Sequence, residues 1–448
     1  MRLSICRKTV RHLLTLAIPI IAGQLGTVMM GFTDTLFIGQ LGKVELAASG
    51  VANSVFFIVC IIGIGILMAT STLTAMNRGE GNQNRQGGLF RGMEWVSVIA
   101  GLVFGGIIWF LGKNFHWFGQ AAEVNEVAGH FLMILSFSLV PLFLSIGIKA
   151  FCDGCEDTNP GMVIMLAAVG LNALLNWLLI WGHWGFPTLG FEGAAYATLA
   201  SRVLMALVFY VYIYSSKKYK GVIYSLLRKG MGKAKNIKKE IREILSLGVP
   251  SGLQYFFEIG AFSGAAIMMG WLSKDASAAH IIAIQLASVT YMAATGVSAA
   301  GSILVGHAFG RGDKKAIHLA GKTALVTILV FMAFNGLLLV LCRHWFIGWF
   351  ANDLEVVSIA STLLIVAGLF QLSDGLQCVG LGILRGIGDT HFPTYITLFA
   401  YWVIGLPGGY LLGFYFGLGP LGVWIALLAG LTFSALLLNI RFFRLAVR

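Results

Sequence analysis

Charge is what this chain has least of. Of its 448 residues, 11% are Asp, Glu, Lys or Arg and 58% are hydrophobic; a soluble domain carries about 25% charge on about 45–50% apolar residues. So few charges cannot cover a water-facing surface, which excludes a soluble domain of useful size. The alternating pattern of a membrane barrel is missing, and long continuous apolar runs stand in its place. Catalytic signatures are missing as well: the nine histidines are dispersed, with no H-E-x-x-H, no G-x-S-x-G and no P-loop. Neither an enzyme nor a cofactor is expected. Cys6, Cys60, Cys342 and Cys378 are scattered, and Cys152-x-x-Cys155 is a single pair without the second pair or histidines that zinc requires.

What the chain has is apolar length. A bilayer core takes roughly 20 apolar helical residues to cross. Runs at 13–41, 46–76, 92–112, 127–152, 161–183, 191–216, 244–272, 277–309, 318–342, 356–386, 393–416 and 420–443 meet that need. They predict an all-α integral membrane protein with twelve transmembrane helices. The first run follows Arg2, Arg7, Lys8 and Arg11, as in a signal peptide. It is longer than a signal's apolar region and shows no small-residue cleavage site, so it reads as a retained helix.

Lys and Arg give the orientation. Arg78, Arg85, Arg91, Lys149, the Lys217–Arg242 cluster, Arg311, Lys314, Lys315, Lys322, Arg385, Arg441, Arg444 and Arg448 fall on the side of the N-terminal arginines. Lys43, Lys113, Lys274 and Arg343 fall on the other. By the positive-inside rule the basic side is cytoplasmic and both termini are inside. The same bias accounts for the net charge of +12 without nucleic acid. The basic stretch reads as a solvated loop near anionic lipid headgroups.

The two halves resemble each other at an offset near 231. Leu16-Ala17-Ile18-Pro19 answers Leu247-Gly248-Val249-Pro250, and Gly39-x-Leu41 answers Gly270-x-Leu272. Ala75-Met76-Asn77-Arg78-Gly79-Glu80 answers Ala308-Phe309-Gly310-Arg311-Gly312-Asp313. Asp157-Thr158-x-Pro160 answers Asp389-Thr390-x-x-Pro393, and Gly190-x-x-Gly193 answers Gly419-x-x-Gly422. The expected organisation is two pseudo-symmetric six-helix lobes, residues 1–216 and 244–448, joined by a basic cytoplasmic linker at 217–243. Six helices per repeat make the repeats parallel, an arrangement that places a central site between halves and permits alternating access. A duplication serving structure alone is the bland alternative.

Away from the span ends, four Asp, Glu, Lys or Arg residues lie inside the spans: Asp34, Arg202, Glu258 and Asp374. Each costs roughly 2.5–3.5 kcal/mol near a helix centre and persists if paired, wet or ligand-binding. One arginine cannot neutralise three acids, so the surplus points to a cavity for H⁺, Na⁺ or an organic cation. Pro19 and Pro250 are expected to kink their helices and expose carbonyls. Gln254 lies one turn before Glu258; Asn172 and Asn176 share a helix face; Gln371 and Gln377 flank Asp374. With Gln285, Phe370 and Arg202, these are the candidate polar or cavity residues.

These motifs resemble the multidrug and toxic compound extrusion (MATE) family, in its NorM-like branch. The residues that carry the resemblance are Pro19 followed by Met30-Gly31-Phe32-Thr33-Asp34-Thr35; Pro250 with Glu258; Gln371-Leu372-Ser373-Asp374-Gly375; and Arg385-Gly386-x-Gly388-Asp389-Thr390. The resemblance covers nearly the whole chain. It implies a V-shaped, monomeric inner-membrane antiporter that expels small cationic amphipathic compounds against Na⁺ or H⁺. By position, Glu258 and Asp374 look like the cation-coupling carboxylates of the second lobe, with Na⁺ a candidate ligand. Asp34, with Asn172 and Asn176, looks like the polar site of the first. NorM-like proteins can carry a tyrosine where this chain has Phe370, which removes a hydroxyl. Other branches place an acid in the fifth helix; here Asn172 and Asn176 are neutral, which tells against a proton relay confined to the first lobe and tilts the reading toward Na⁺ in the second.

Two other classes compete. A flippase for lipid-linked saccharides, from the same superfamily, would want a cavity rich in Lys and Arg, whereas intramembrane acids outnumber Arg202 here. A sensor or assembly partner would leave the buried acids without a purpose.

Overall fold

Lipid offers no hydrogen bonds, so each apolar run satisfies its own backbone as helix. A computed structural model describes residues 2–228, 234–351 and 353–447. Positions 229–233 of the expected linker and Arg448 of the basic set lie outside the described residues. The helices are α1 (Arg2–Gly39), α2 (Lys43–Gly79), α3 (Gln83–Lys113), α4 (Ala122–Ser136), α5 (Leu139–Gly154), α6 (Thr158–Trp181), α7 (Gly190–Ser215) and α8 (Lys220–Arg228). They continue with α9 (Ala234–Leu272), α10 (Lys274–Gly310), α11 (Lys314–Leu341), α12 (Arg343–Ile347), α13 (Leu354–Gly386), α14 (His391–Phe399), α15 (Leu406–Tyr410) and α16 (Gly419–Val447). No strand occurs among the described residues. Among the described residues, eleven helical stretches are long and apolar enough to cross a membrane, or twelve if α4 and α5, bent by 47° at their junction, count as one span. The protein is a multi-pass, all-α membrane protein.

The stretch expected as a solvated loop is largely helical. A 3₁₀ turn at Lys217–Tyr219 leads into α8, and α9 starts at Ala234. Tyr219 and Val222 are buried in the core, which is why the segment folds back instead of extending into water. Glu240 is also buried; Arg85 of α3 reaches it at 3.4 Å and pairs with Glu243 as well.

The chain packs as two compact units. One is Ala22–Gly252, here unit A; the other, unit B, combines Met1–Ile21 with Leu253–Arg448. These are not the sequence halves. The chain changes unit inside α1 and inside α9, two residues after Pro19 and Pro250, while both helices run on through their prolines. Within unit A, Gly65 of α2 gives room to α9: a Cβ there would stand 2.4 Å from Gly252 Cα. Within unit B, Gly296 of α10 does the same for α1, where a Cβ would stand 2.2 Å from Ile21 Cγ1.

Backbone geometry sharpens the repeat. Gly81 (φ 72°) and Gly312 (φ 68°) take the left-handed turn before a helix. The next residues, Asn82 and Asp313, cap it by accepting from Arg85 N at 3.2 Å and Ala316 N at 3.0 Å. Such caps contribute about 1 kcal/mol each. Gly81-Asn82 is thus the partner of Gly312-Asp313, which shifts the sequence-based pairing of Glu80 with Asp313 by two positions. The turns at Asp157 and Asp389 also match, with amides returning to Cys152 O at 3.0 Å and Leu384 O at 3.0 Å.

Two departures from symmetry matter for function. The fourth span is broken at Phe137–Ser138 in unit A, ahead of Pro141, but α13 runs unbroken in unit B. The eleventh span contains two π segments, Ala400–Gly405 and Leu411–Tyr415, on either side of α15. Pro407 has no N–H to return to the preceding turn, which favours this widening.

Candidate functional sites in the two units

In unit A the site forms where α1, α6 and α7 meet. Asn172 and Asn176 are one turn apart on α6 and fully buried. Asn176 Nδ2 donates to Asp34 Oδ1 at 2.6 Å and to Asn172 Oδ1 at 3.2 Å. Thr198 Oγ1 of α7 donates to Asp34 Oδ2 at 3.1 Å and lies 3.5 Å from Asn172 Nδ2. Three neutral polar side chains, Asn172, Asn176 and Thr198, thus surround the carboxylate. Asn176 Oδ1 is buried with no partner. Residues expected together from sequence are together; Thr198 was missed, because one threonine in an apolar helix carries no distinguishing signal.

Arg202, one turn beyond Thr198, does not pair with an acid. Its Nη1 donates to Ser138 Oγ at 2.6 Å and its guanidinium lies 4.8 Å from the centre of the Phe56 ring. Ser138 in turn donates to Leu135 O at 2.6 Å. Arg202 therefore braces the break between α4 and α5.

In unit B the site forms among α9, α10, α13 and the first π segment. Glu258 is buried, with the hydroxyls of Tyr291 and Tyr401 beside it. Asp374 is buried close enough for the two carboxylates to interact electrostatically. Gln377 Nε2 donates to Tyr401 Oη at 2.8 Å, and Gln371 Oε1 accepts from Thr290 Oγ1 at 2.7 Å. Gln377 Oε1 and Gln371 Nε2 are buried without partners. Two tyrosine hydroxyls, one from α10 and one from the π segment, thus stand at Glu258 although Phe370 carries none; sequence reasoning did not single them out among twelve tyrosines.

The remaining candidates do other work. Phe370 packs in the core of unit B, 6.0 Å from Phe262 and 5.6 Å from Trp424 between ring centres. Gln254 Nε2 donates to Thr390 O and Thr394 Oγ1, both at 3.0 Å, so it ties α9 to α14 and does not join Glu258. Gln285 is exposed on α10 and joins neither cluster.

At the basic end of unit A, Asp157 accepts from Tyr219 Oη at 2.7 Å, Tyr212 Oη at 2.8 Å and Lys218 Nζ at 3.1 Å. Burial pushes its pKa up, but these donors outweigh burial and hold it below the ordinary carboxylate value. Burial pushes the neighbouring Cys155 thiol up to about 12, so it stays protonated and unreactive at neutral pH.

Each of the two units thus carries carboxylate side chains within helices long and apolar enough to span a membrane, Asp34 in one and Glu258 with Asp374 in the other. The MatE family model matches twice, at residues 19–178 and 250–411, starting on the two prolines. The chain belongs to the MatE family, whose members are transporters and not enzymes. It is 34% identical over 452 residues to "Probable multidrug resistance protein NorM" of Brucella suis, covering 96% of this chain and 92% of that protein. It is 31% identical over 451 residues to "Multidrug resistance protein PmpM" of Pseudomonas aeruginosa, covering 99% and 93%. The Vibrio cholerae MATE transporter VcmN in its bent form superposes with a TM-score of 0.87 at 17% identity, covering 99% of this chain and 98% of that one.

Proposed function

We propose that this protein is a secondary multidrug antiporter. It exchanges Na⁺ or H⁺ for small cationic amphipathic compounds by alternating access, as a monomer in the inner membrane with both termini cytoplasmic. The observation that carries the reading is the make-up of the two sites. Each sets a carboxylate among neutral polar side chains, part-buried Asp34 in one and buried Glu258 and Asp374 in the other, and leaves one amide oxygen unpartnered: Asn176 Oδ1, whose amide nitrogen binds Asp34, and Gln377 Oε1, one turn from Asp374 on α13. A buried oxygen acceptor beside a carboxylate suits a hard cation, which takes oxygen ligands, and suits a proton equally by charge. The multidrug reading is supported by the names of the NorM and PmpM relatives. Anionic sites favour cationic substrates over the large anions of a lipid-linked saccharide flippase.

The test is ethidium efflux from proteoliposomes under a Na⁺ gradient or a pH gradient, imposed separately. One gradient should drive efflux, thereby naming the ion. Glu258→Gln and Asp374→Asn should abolish efflux in folded, inserted protein. Full efflux in the double variant would sink the proposal.

A further inference from the structure

Unit B contains a second buried charge that the cation site does not use. Arg385 lies on α13, eleven residues after Asp374. At 100° per residue that offset returns to nearly the same helix face, roughly 16 Å along the axis. Cys378 lies between them on that face. Arg385 is 4% exposed, and its Nε has no hydrogen-bond partner. Tyr255, three residues before Glu258 on α9, hydrogen-bonds to the guanidinium. Asp389, four residues on, is already taken by Arg441 at 2.5 Å. Thr390 Oγ1 nearby in sequence is also buried without a partner.

The packing around this arginine is tight. A Cβ on Gly382 would stand 2.3 Å from Ser298 Oγ and 2.5 Å from Ser298 O; one on Gly386 would stand 2.9 Å from Ser302 O. The seam between α10 and α13 is therefore closed by backbone contact, and polar groups run past it in a file: Glu258 and Asp374, then Tyr255 and Cys378, then Arg385. An arginine is charged at every accessible pH, so it cannot relay a proton. A buried guanidinium is costly to keep, and salt-bridging needs do not explain this one.

We propose that Arg385, positioned by Tyr255, is an electrostatic stopper that keeps cations from leaking from the Glu258–Asp374 site through the interior of unit B to the basic-side end of α13. The inference rests on the cation-coupling reading of that site. A positive charge at this position repels Na⁺ or H₃O⁺ while leaving the carboxylates free to exchange ions by the transport route. Arg385 acts as a barrier and does not bind substrate.

The experiment measures decay of an imposed Na⁺ or pH gradient in proteoliposomes with no drug present. Arg385→Gln keeps a hydrogen-bonding partner for Tyr255 and removes the charge; if it does not fold, Arg385→Met serves. The gradient should decay about fivefold faster than in wild type, as expected for loss of one charge roughly 16 Å from the carboxylates at an effective dielectric of about 20. Arg385→Lys should restore tightness, and adding Glu258→Gln to the neutral variant should stop the leak. A neutral variant as tight as wild type, a lysine variant that leaks equally, or a leak that survives Glu258→Gln each overturns the inference. If Glu258→Gln alone leaves efflux intact, the coupling reading fails instead, and the two failures are told apart.

Discussion

Gln377 holds the Tyr401 hydroxyl at 2.8 Å, and that same hydroxyl reaches Glu258. Tyr401 sits in the π segment ahead of Pro407. A π turn changes the angular position of every later side chain, and such turns gather at functional sites. The proline is thus linked to a ligand-bearing hydroxyl six residues earlier.

Tyr401→Phe removes one hydroxyl and keeps the ring. We expect a folded protein whose half-saturating coupling-ion concentration rises about tenfold or more, consistent with roughly 1.5–3 kcal/mol for one hydrogen bond to a charged group. Maximal efflux at saturating ion should change less. An unchanged ion dependence would remove Tyr401 from the site.

In unit A the matching test is Asn176→Ala. Asp34 then keeps Thr198 and loses its shortest contact, the 2.6 Å bond from Asn176. Loss of a hydrogen bond to a carboxylate costs about 1.5–3 kcal/mol. Efflux should fall and thermal stability in detergent should drop, while Asn176→Asp should shift the pH dependence by adding a second acid beside Asp34. Wild-type efflux in Asn176→Ala would show that unit A takes no part in coupling.

The carboxylates and asparagines were legible because charge and amide are rare inside apolar runs, and Asp34, Glu258 and Asp374 needed no structure to stand out. Thr198, Tyr291 and Tyr401 were not legible, since hydroxyl residues are tolerated anywhere in a helix that can return them to its own carbonyls. Arg202 was legible as an anomaly but not in its partner: Ser138 lies 64 residues away and matters because the fourth span breaks there. The twelve spans were readable from hydropathy. The exchange of the α1 and α9 segments between units was not, because helix continuity through Pro19 and Pro250 is local and the choice of neighbour is made by Gly65 and Gly296.

Asp157 gives a pH prediction. Its folded pKa is depressed, so its stabilisation is present above the unfolded value, about 3.9, and is lost as pH falls through the folded value. Thermal stability in detergent should therefore decline below about pH 4 in wild type. Asp157→Asn should be less stable at pH 7 by roughly 1–2 kcal/mol and should lose part of that acid dependence. Identical pH profiles for the two proteins would show that the Tyr212–Tyr219–Lys218 contacts add nothing to stability.

Close backbone approach gives a paired test on α2 and α3. Gly65 faces Gly252, with only 2.4 Å between a built Cβ and the opposing Cα, and backbone cannot move aside as a flexible side chain can. Gly65→Ala should cost about 1–3 kcal/mol through overpacking and lower the yield of folded protein. Gly106, in the same unit, has nothing within 4 Å of a built Cβ. Gly106→Ala should be neutral or stabilising by up to about 1 kcal/mol, since alanine is the better helix former. Thermal unfolding of both variants in the same detergent decides the point. Equal stability would mean that the α2–α9 contact within unit A is loose enough to accept a methyl group, and the reason given for glycine at position 65 would fall.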